Sequence, residues 1–260
     1  MMRHLLIALA IMFLAGCGTK KNESDTTIDS LAIGYSVLKT LPHNPDAFTE
    51  GLTISGTKVL ESTGQHGKSW VAEVDPGSGT HTKKITLDNQ YFGEGMTVLN
   101  NKLYYLTYQT KIGFVYNAST YAQIGEFHYE NEGWGLTHDN KNLIMSAGSD
   151  RLYFLDTATL KIVRTLAVSD AAGPVKNLNE LEFVNGYIFA NVYETPFVVK
   201  IDPATGKVVG RLNLSVQVEE IKRMFPTALE LNGIAYDKNS NAMLVTGKHW
   251  PHTYLIRLQR

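Results

Sequence analysis

The sequence predicts an all-β chain folded as a five-bladed β-propeller, on three observations. Five short anchors, each a Gly or Glu followed by an aliphatic residue, recur as Gly51-Leu52, Gly95-Met96, Gly135-Leu136, Glu180-Leu181 and Gly233-Ile234. Their spacings of 44, 40, 45 and 53 residues match the length of one propeller blade, a unit of several strands. Between anchors, alternating apolar runs are separated by turn sequences, the pattern of antiparallel hairpins. The fifth unit ends one strand short, while residues 34–38 have no unit of their own. An N-terminal strand in the last blade would therefore close the ring and remove two exposed sheet edges.

Taken in order, unit one has strands at 58–62 and 70–74, the turn Asp75-Pro76-Gly77-Ser78-Gly79, and a strand at 82–85. Unit two has strands at 102–106 and 112–116, and unit three at 142–146 and 152–156. Unit four has 187–191 and 197–201, followed by the turn Asp202-Pro203-Ala204-Thr205-Gly206. Unit five has 242–246 and 253–258. Residues 215–228 break the β pattern. Val218, Ile221 and Phe225 recur at helical spacing, Ser215 is placed to cap, and Pro226 stops the run. This one short helical insertion accounts for the long fourth interval. It is expected either to rim a pocket or to pack as a plain connector.

The start of the chain is a separate signal. Met1-Met2-Arg3-His4 is basic, residues 5–15 are apolar, and Leu14-Ala15-Gly16-Cys17 follows. The apolar run is too short to span a bilayer. Basic start, apolar stretch, small residues and Cys together read as a bacterial lipoprotein signal over 1–16. Cys17 would then carry lipid, residues 17–30 would form a flexible tether, and 31–260 the propeller. The expected location is the bacterial cell envelope, lipid-anchored and extracytoplasmic.

Composition excludes several classes. Lys and Arg total 24 against 25 Asp and Glu, a net charge of −1, so no basic excess exists to neutralise nucleic-acid phosphates. A single Cys rules out a disulfide framework. The eight histidines show no zinc-helix spacing, so they are read as turn or surface residues and no metal ligand set is assigned. Neither a Gly-x-Ser-x-Gly elbow nor a Walker loop is present.

The residues around the anchors carry the chemistry. Phe48-Thr49-Glu50-Gly51, Phe92-Gly93-Glu94-Gly95, Glu132-Gly133-Trp134-Gly135, Leu178-Asn179-Glu180-Leu181-Glu182 and Leu231-Asn232-Gly233 occupy equivalent places in the five units. Innermost strands of a propeller start near one mouth of the central channel. Five such clusters would converge there as polar groups with aromatic walls.

The same clusters, with Glu61-Ser-Thr-Gly64, Ile112-Gly-Phe114 and Val245-Thr-Gly-Lys-His-Trp-Pro251, resemble the plant and bacterial glutaminyl-peptide cyclotransferases of the five-bladed type. The resemblance runs from about Pro42 to Leu258. It implies an enzyme that converts the N-terminal glutamine of peptides or proteins to pyroglutamate, with ammonia released. No cofactor is required for that reaction, though a structural calcium is compatible with it; a monomer is expected. By resemblance, Glu94 is the proton-shuttling carboxylate, and Asn179, Lys248 and the Trp134 indole are donors. Phe48 and Phe92 match aromatic pocket positions. Glu50 stands where the family usually has Gln, and Tyr108 and Tyr193 where tryptophans are common. Glu50 could bind the substrate ammonium or compete with Glu94 for the catalytic part. Two readings stay open beside this one. One is a calcium-dependent propeller hydrolase using Glu50, Glu94 and Asn179 as oxygen ligands. The other is a propeller lipoprotein that only binds a partner.

Overall fold

The structure is a computed structural model that describes residues 30–259. The expected signal segment, Cys17 and nearly all of the expected tether lie outside the described residues.

Five four-stranded antiparallel sheets form the blades, each a meander from the axis outwards. Blade 1 holds Thr49–Ser55, Lys58–Thr63, Trp70–Asp75 and Thr80–Thr86. Blade 2 holds Gly93–Leu99, Lys102–Thr107, Ile112–Asn117 and Gln123–His128. Blade 3 holds Leu136–His138, Asn142–Ser146, Arg151–Asp156 and Ile162–Ala167. Blade 4 holds Leu178–Val184, Tyr187–Val192, Phe197–Ile201 and Val208–Asn213. In blade 5, Leu231–Asp237, Ala242–Gly247 and His252–Leu258 are completed by the N-terminal strand Tyr35–Pro42. That strand pairs antiparallel with the last one, from Tyr35 opposite Leu258 to Pro42 opposite His252. Just before it, the Ile33 N–H donates to the Arg211 carbonyl at 2.8 Å and the Arg211 N–H to the Leu31 carbonyl at 2.6 Å. The N-terminal segment therefore joins the outer edge of blade 4 to the outer edge of blade 5.

Between blades, apolar faces pack in layers. Leu136, Leu143 and Met145 of blade 3 meet Tyr104, Leu106 and Val115 of blade 2, for example. An Asx turn closes the third strand of four blades, with Asp75, Asn117, Asp156 and Asp202 each accepting backbone N–H groups two or three residues on. The outer strands carry little apolar signal. Gln123–His128 and Ile162–Ala167 each bury only one side chain, Phe127 and Leu166, and Thr80–Thr86 buries Ile85 and the side chain of His81.

At the axis the five inner strands touch in a cycle. The approach is too close for side chains. A Cβ on Gly95 would lie 2.5 Å from the Trp134 carbonyl oxygen, and one on Gly135 would lie 2.1 Å from that of Asn179. In blade 4 the equivalent position is Glu180, which is fully buried. Its carboxylate accepts the Leu52 N–H of blade 1 at 3.3 Å and the Ile234 N–H of blade 5 at 2.9 Å. Burial, and then the neighbouring Glu182 charge, raise its pKa well above the carboxylate range despite those two bonds.

The helical insertion is Ser215–Met224 and ends two residues before Pro226. Ser215 does not cap it. The side chain of Asn213 accepts the Ser215 N–H at 3.0 Å instead, so the signal lay two residues upstream. Ile221 buries between blades 4 and 5 with Leu214, Trp250 and Tyr254. The helix does not line the pocket described below; it is a packed connector. Ring closure by two short segments makes a direct prediction. Deleting residues 31–41 should cost solubility or cooperative melting, because it exposes the edges of blades 4 and 5. Deleting 18–30 should leave the melting curve unchanged, and equal tolerance of both deletions in circular dichroism melts would contradict the shared blade.

Candidate active site

In four of the five blades the residue before the anchor is set off from its strand by a bulge, and in blade 3 the strand begins only after the anchor glycine. In blade 1, Thr49 faces Thr63 and Gly51 faces Ser62, so Glu50 is the extra residue. The same shift spans Glu94-Gly95, Asn179-Glu180 and Asn232-Gly233 in blades 2, 4 and 5. A bulge re-aims a side chain and ends regular pairing. Adjacent blades fix these bulges. The Ser62 hydroxyl donates to the Glu94 carbonyl at 2.7 Å and the Gly95 N–H to the Trp134 carbonyl at 2.7 Å. The Ser146 hydroxyl donates to the Asn179 carbonyl at 2.7 Å, and the Asn232 amide to the Thr49 carbonyl at 3.0 Å.

All nine pocket residues expected from the sequence line one cavity of about 180 Å³ at this end of the axis. Its floor is polar and buried: Glu50 is 2% exposed, Glu94 6%, Asn179 3% and Lys248 5%. Its collar is aromatic. Phe48 meets Phe92 edge-on at 6.1 Å between centroids, Phe92 meets Tyr108 at 5.9 Å, Tyr108 meets Trp134 at 6.4 Å, and Trp134 meets Tyr193 at 5.6 Å. Lys248 completes the circuit, with Nζ 5.8 Å from the Tyr193 ring and 4.3 Å from the Phe48 ring.

Within this floor the Lys248 ammonium forms a buried ion pair with Glu50. Asn232 Nδ2 also reaches Glu50 Oε2, at 3.4 Å. The Glu94 carboxyl takes no protein hydrogen bond among the described residues. The side-chain oxygen of Asn179 is likewise buried without a partner. Such groups are rare in a native interior, and in a cavity wall they are open to a bound water or ligand. The Trp134 indole, expected as a donor to substrate, gives its N–H to Glu132 at 3.2 Å and otherwise serves as wall.

The electrostatics differ between the two acids. Burial raises the Glu50 pKa to about 7, with the Lys248 charge and hydrogen bond opposing the rise. Glu94 is raised well above the ordinary range, first by burial and then by the Glu50 charge, with only partial relief from Lys248. Three contributors carry no assigned role in the sequence reading, although Asn232 and Glu132 stand in its converging clusters. Asn232 stands in register with Glu50, Glu94, Trp134 and Asn179, a signal present in the anchors. Glu132 adds negative charge at Glu94, and Glu230 at Glu50. Lys248 is thus surrounded by an acidic rim.

Fold and pocket together define a five-bladed propeller with a buried acid, amide and lysine floor inside an aromatic collar, the arrangement of an enzyme pocket for a small polar group. The chain belongs to the glutamine cyclotransferase family, whose sequence profile matches residues 8–258. A glutaminyl-peptide cyclotransferase from Arabidopsis thaliana is 37% identical over 227 residues, covering 86% of this chain and 71% of the plant protein. The crystal structure of Myxococcus xanthus glutaminyl cyclase superposes with a TM-score of 0.81 at 30% identity, covering 89% of this chain and 99% of that one.

Glu50 is the point at which the pocket can be tuned. Its negative charge raises the Glu94 pKa, so Glu50→Gln removes that charge and leaves Lys248 free to lower it further. A carboxyl with a lower pKa ionises at lower pH. The acid limb of kcat/KM in Glu50→Gln should therefore move to lower pH in a full pH–rate profile. An acid limb that stays in place or moves upward would contradict the coupling.

Proposed function

We propose that the pocket cyclises the N-terminal glutamine of peptides or proteins to pyroglutamate, releasing ammonia, with Glu94 as the proton shuttle. The observation that carries this reading is the unbonded, buried Glu94 carboxyl beside the Glu50–Lys248 pair, in a cavity sized for a single residue.

The substrate brings its own nucleophile, so proximity is built into it and no enzyme nucleophile is needed. Its terminus arrives as an ammonium, which the acidic rim of Glu94, Glu132 and Glu230 favours. An α-amine titrates at about 7.7–8.0. Raising the Glu94 pKa brings it closer to that value, so moving a proton from ammonium to carboxylate costs less. The freed amine attacks the γ-carboxamide carbon, a C–N bond forms, and the carbonyl oxygen gains negative charge. Lys248 spends one of its three N–H groups on Glu50, leaving others to face that oxyanion, with the Asn179 amide beside it. The surplus proton on the ring nitrogen passes through Glu94 to the amide nitrogen. The old C–N bond then breaks and ammonia leaves, carrying away in the end the proton first taken from the substrate. The aromatic collar holds the glutamine stem and excludes water. Glu50 positions Lys248 in this scheme.

Incubation of a Gln-initiated peptide with the enzyme should give the mass loss of one ammonia, and an N-acetylated control should not react. Glu94→Gln keeps size and hydrogen bonding but ends the shuttle. It should lower kcat by roughly 10²–10⁴ with little change in KM. Near-normal turnover in that variant would rule out Glu94 as the shuttle. Lys248→Ala is a poorer test. It leaves Glu50 buried and unpaired, a penalty on the order of 3–5 kcal/mol that confuses folding with catalysis.

In the same reading the enzyme is an extracytoplasmic lipoprotein held at a bacterial membrane through Cys17. The basic start, the apolar run and Leu14-Ala15-Gly16-Cys17 support it. Cys17→Ser should move the protein from membrane to soluble fractions at unchanged specific activity. Retention of that variant on membranes after a salt wash would remove the anchor.

A further inference from the structure

Outside the pocket, three donor side chains converge in the joint between blades 1 and 5. His43 follows the N-terminal strand, Glu61 lies on the second strand of blade 1, and His81 on its outer strand. The sequence reading placed these histidines at turns or on the surface. The structure instead buries their side chains, with exposures of 2% for His43, 0% for Glu61 and 4% for His81. One ligand atom from each lies within 4.8 Å of the others. His43 Nε2 is 3.1 Å and 3.2 Å from the two Glu61 oxygens, and His81 Nε2 contacts Glu61 Oε2.

The surroundings resemble the support of a metal ligand set. His43 Nδ1 lies 2.6 Å from the Trp250 carbonyl. A carbonyl only accepts, so Nδ1 carries the hydrogen and Nε2 is turned towards the carboxylate. Thr49 donates its hydroxyl to Glu61 Oε1 at 2.6 Å and fixes the carboxylate plane. A histidine whose second nitrogen bonds a backbone carbonyl, and a carboxylate held by a hydroxyl, are the usual outer partners of metal ligands. The spacing fits for one pair, while the His81–Glu61 contact is closer than two ligands of one ion and must open when a metal enters. Two ligands about 2.0–2.1 Å from a tetrahedral zinc stand roughly 3.4 Å apart, close to the His43–Glu61 separation. Two imidazoles and one carboxylate suit a borderline cation; calcium and magnesium prefer all-oxygen shells.

We propose that His43, Glu61 and His81 form a zinc site that clasps the outer strand of blade 1 to the ring-closing joint. The site lies behind Thr49, so it holds the backbone leading into Phe48 and Glu50 from the side away from the pocket. Its role is structural, and no step of the cyclisation passes through it.

The test uses the whole protein, stripped with a chelator, dialysed and returned to one equivalent of zinc chloride. Mass spectrometry of the metal content should find one zinc per chain after desalting, and the melting temperature should rise with zinc concentration. His81→Val keeps the packing against Trp70 and should lower the zinc content to none, while turnover stays at the level of the stripped wild type. Cobalt(II) in the unmutated protein supplies a readout that needs no variant. Visible absorption of a tetrahedral nitrogen–oxygen site should appear on addition and disappear on competition with zinc. A stripped wild type that takes up no zinc, equal uptake by wild type and His81→Val, or cobalt spectra identical to the aqueous ion would each overturn the proposal, leaving a carboxylate bridged by protons between two imidazoles.

Discussion

Everything at the reactive end of this protein depends on how closely five strands must approach one axis. Side chains do not fit there, and the chain answers with glycine in four blades and with a buried carboxylate, Glu180, in the fourth. Strands that meet backbone to backbone cannot keep regular pairing up to their ends. Each opens in a bulge or an irregular start, and in blades 1 to 4 the residue just before the axial position is turned into the cavity, while Asn232 of blade 5 stays outside the lining and bonds Glu50 and the Thr49 carbonyl. Glu50, Glu94, Trp134, Asn179 and Asn232 are in register because the axis puts them there. The neighbouring blade then hydrogen-bonds the carbonyl next to or at Glu50, Glu94, Trp134 and Asn179, so the floor of the pocket is tied to the ring itself.

Burial sets the electrostatics. Glu50 and Glu94 are both buried, so two carboxyl groups near one another cannot both ionise cheaply. Lys248 resolves half of the problem by pairing with Glu50. Glu94 is left with burial, a negative neighbour and no protein donor, which keeps a proton on it over a wider pH range than a free glutamate. A glutamine at position 50 would leave Lys248 without its partner and Glu94 without its negative neighbour. The glutamate is therefore a change to the proton economy of the site, not only to its shape.

Much of this was legible in the sequence because the axial constraint leaves a mark. Gly51, Gly95, Gly135 and Gly233 recur as blade anchors, and the residues before the first three line the pocket. The outer strands of blades 2 and 3 escaped notice because each is mostly solvent-facing; Phe127 or Leu166 alone makes no alternating pattern. That of blade 4 does alternate, with Val208, Gly210 and Leu212 buried, but a glycine in the middle of so short a run weakens the apolar signal. Asn213 was overlooked as the helix-starting acceptor because Ser215, two residues on, is an equally good capping type. Pairings between distant residues could not be read at all. Glu50 and Lys248 are 198 residues apart, and no local rule connects them. His43, Glu61 and His81 come from three separate elements, so no spacing motif announces them. The indole of Trp134 looked free until the fold showed Glu132 beneath its N–H.

Ring closure has a consequence for the order in which the molecule can be assembled. The strand Tyr35–Pro42 precedes every blade, yet its partner is His252–Leu258, more than two hundred residues later. Blades 1 to 4 are meanders of local hairpins and can form as their strands become available. The opening strand cannot: it must wait, unpaired, until the final strand exists. Contacts this distant in sequence are slow to form because the loop entropy is lost before any pairing is gained. Closure is thus the natural last step of folding. Until it happens, blades 4 and 5 each present an open edge, and the growing ring is most exposed to pairing with another chain just before it is finished.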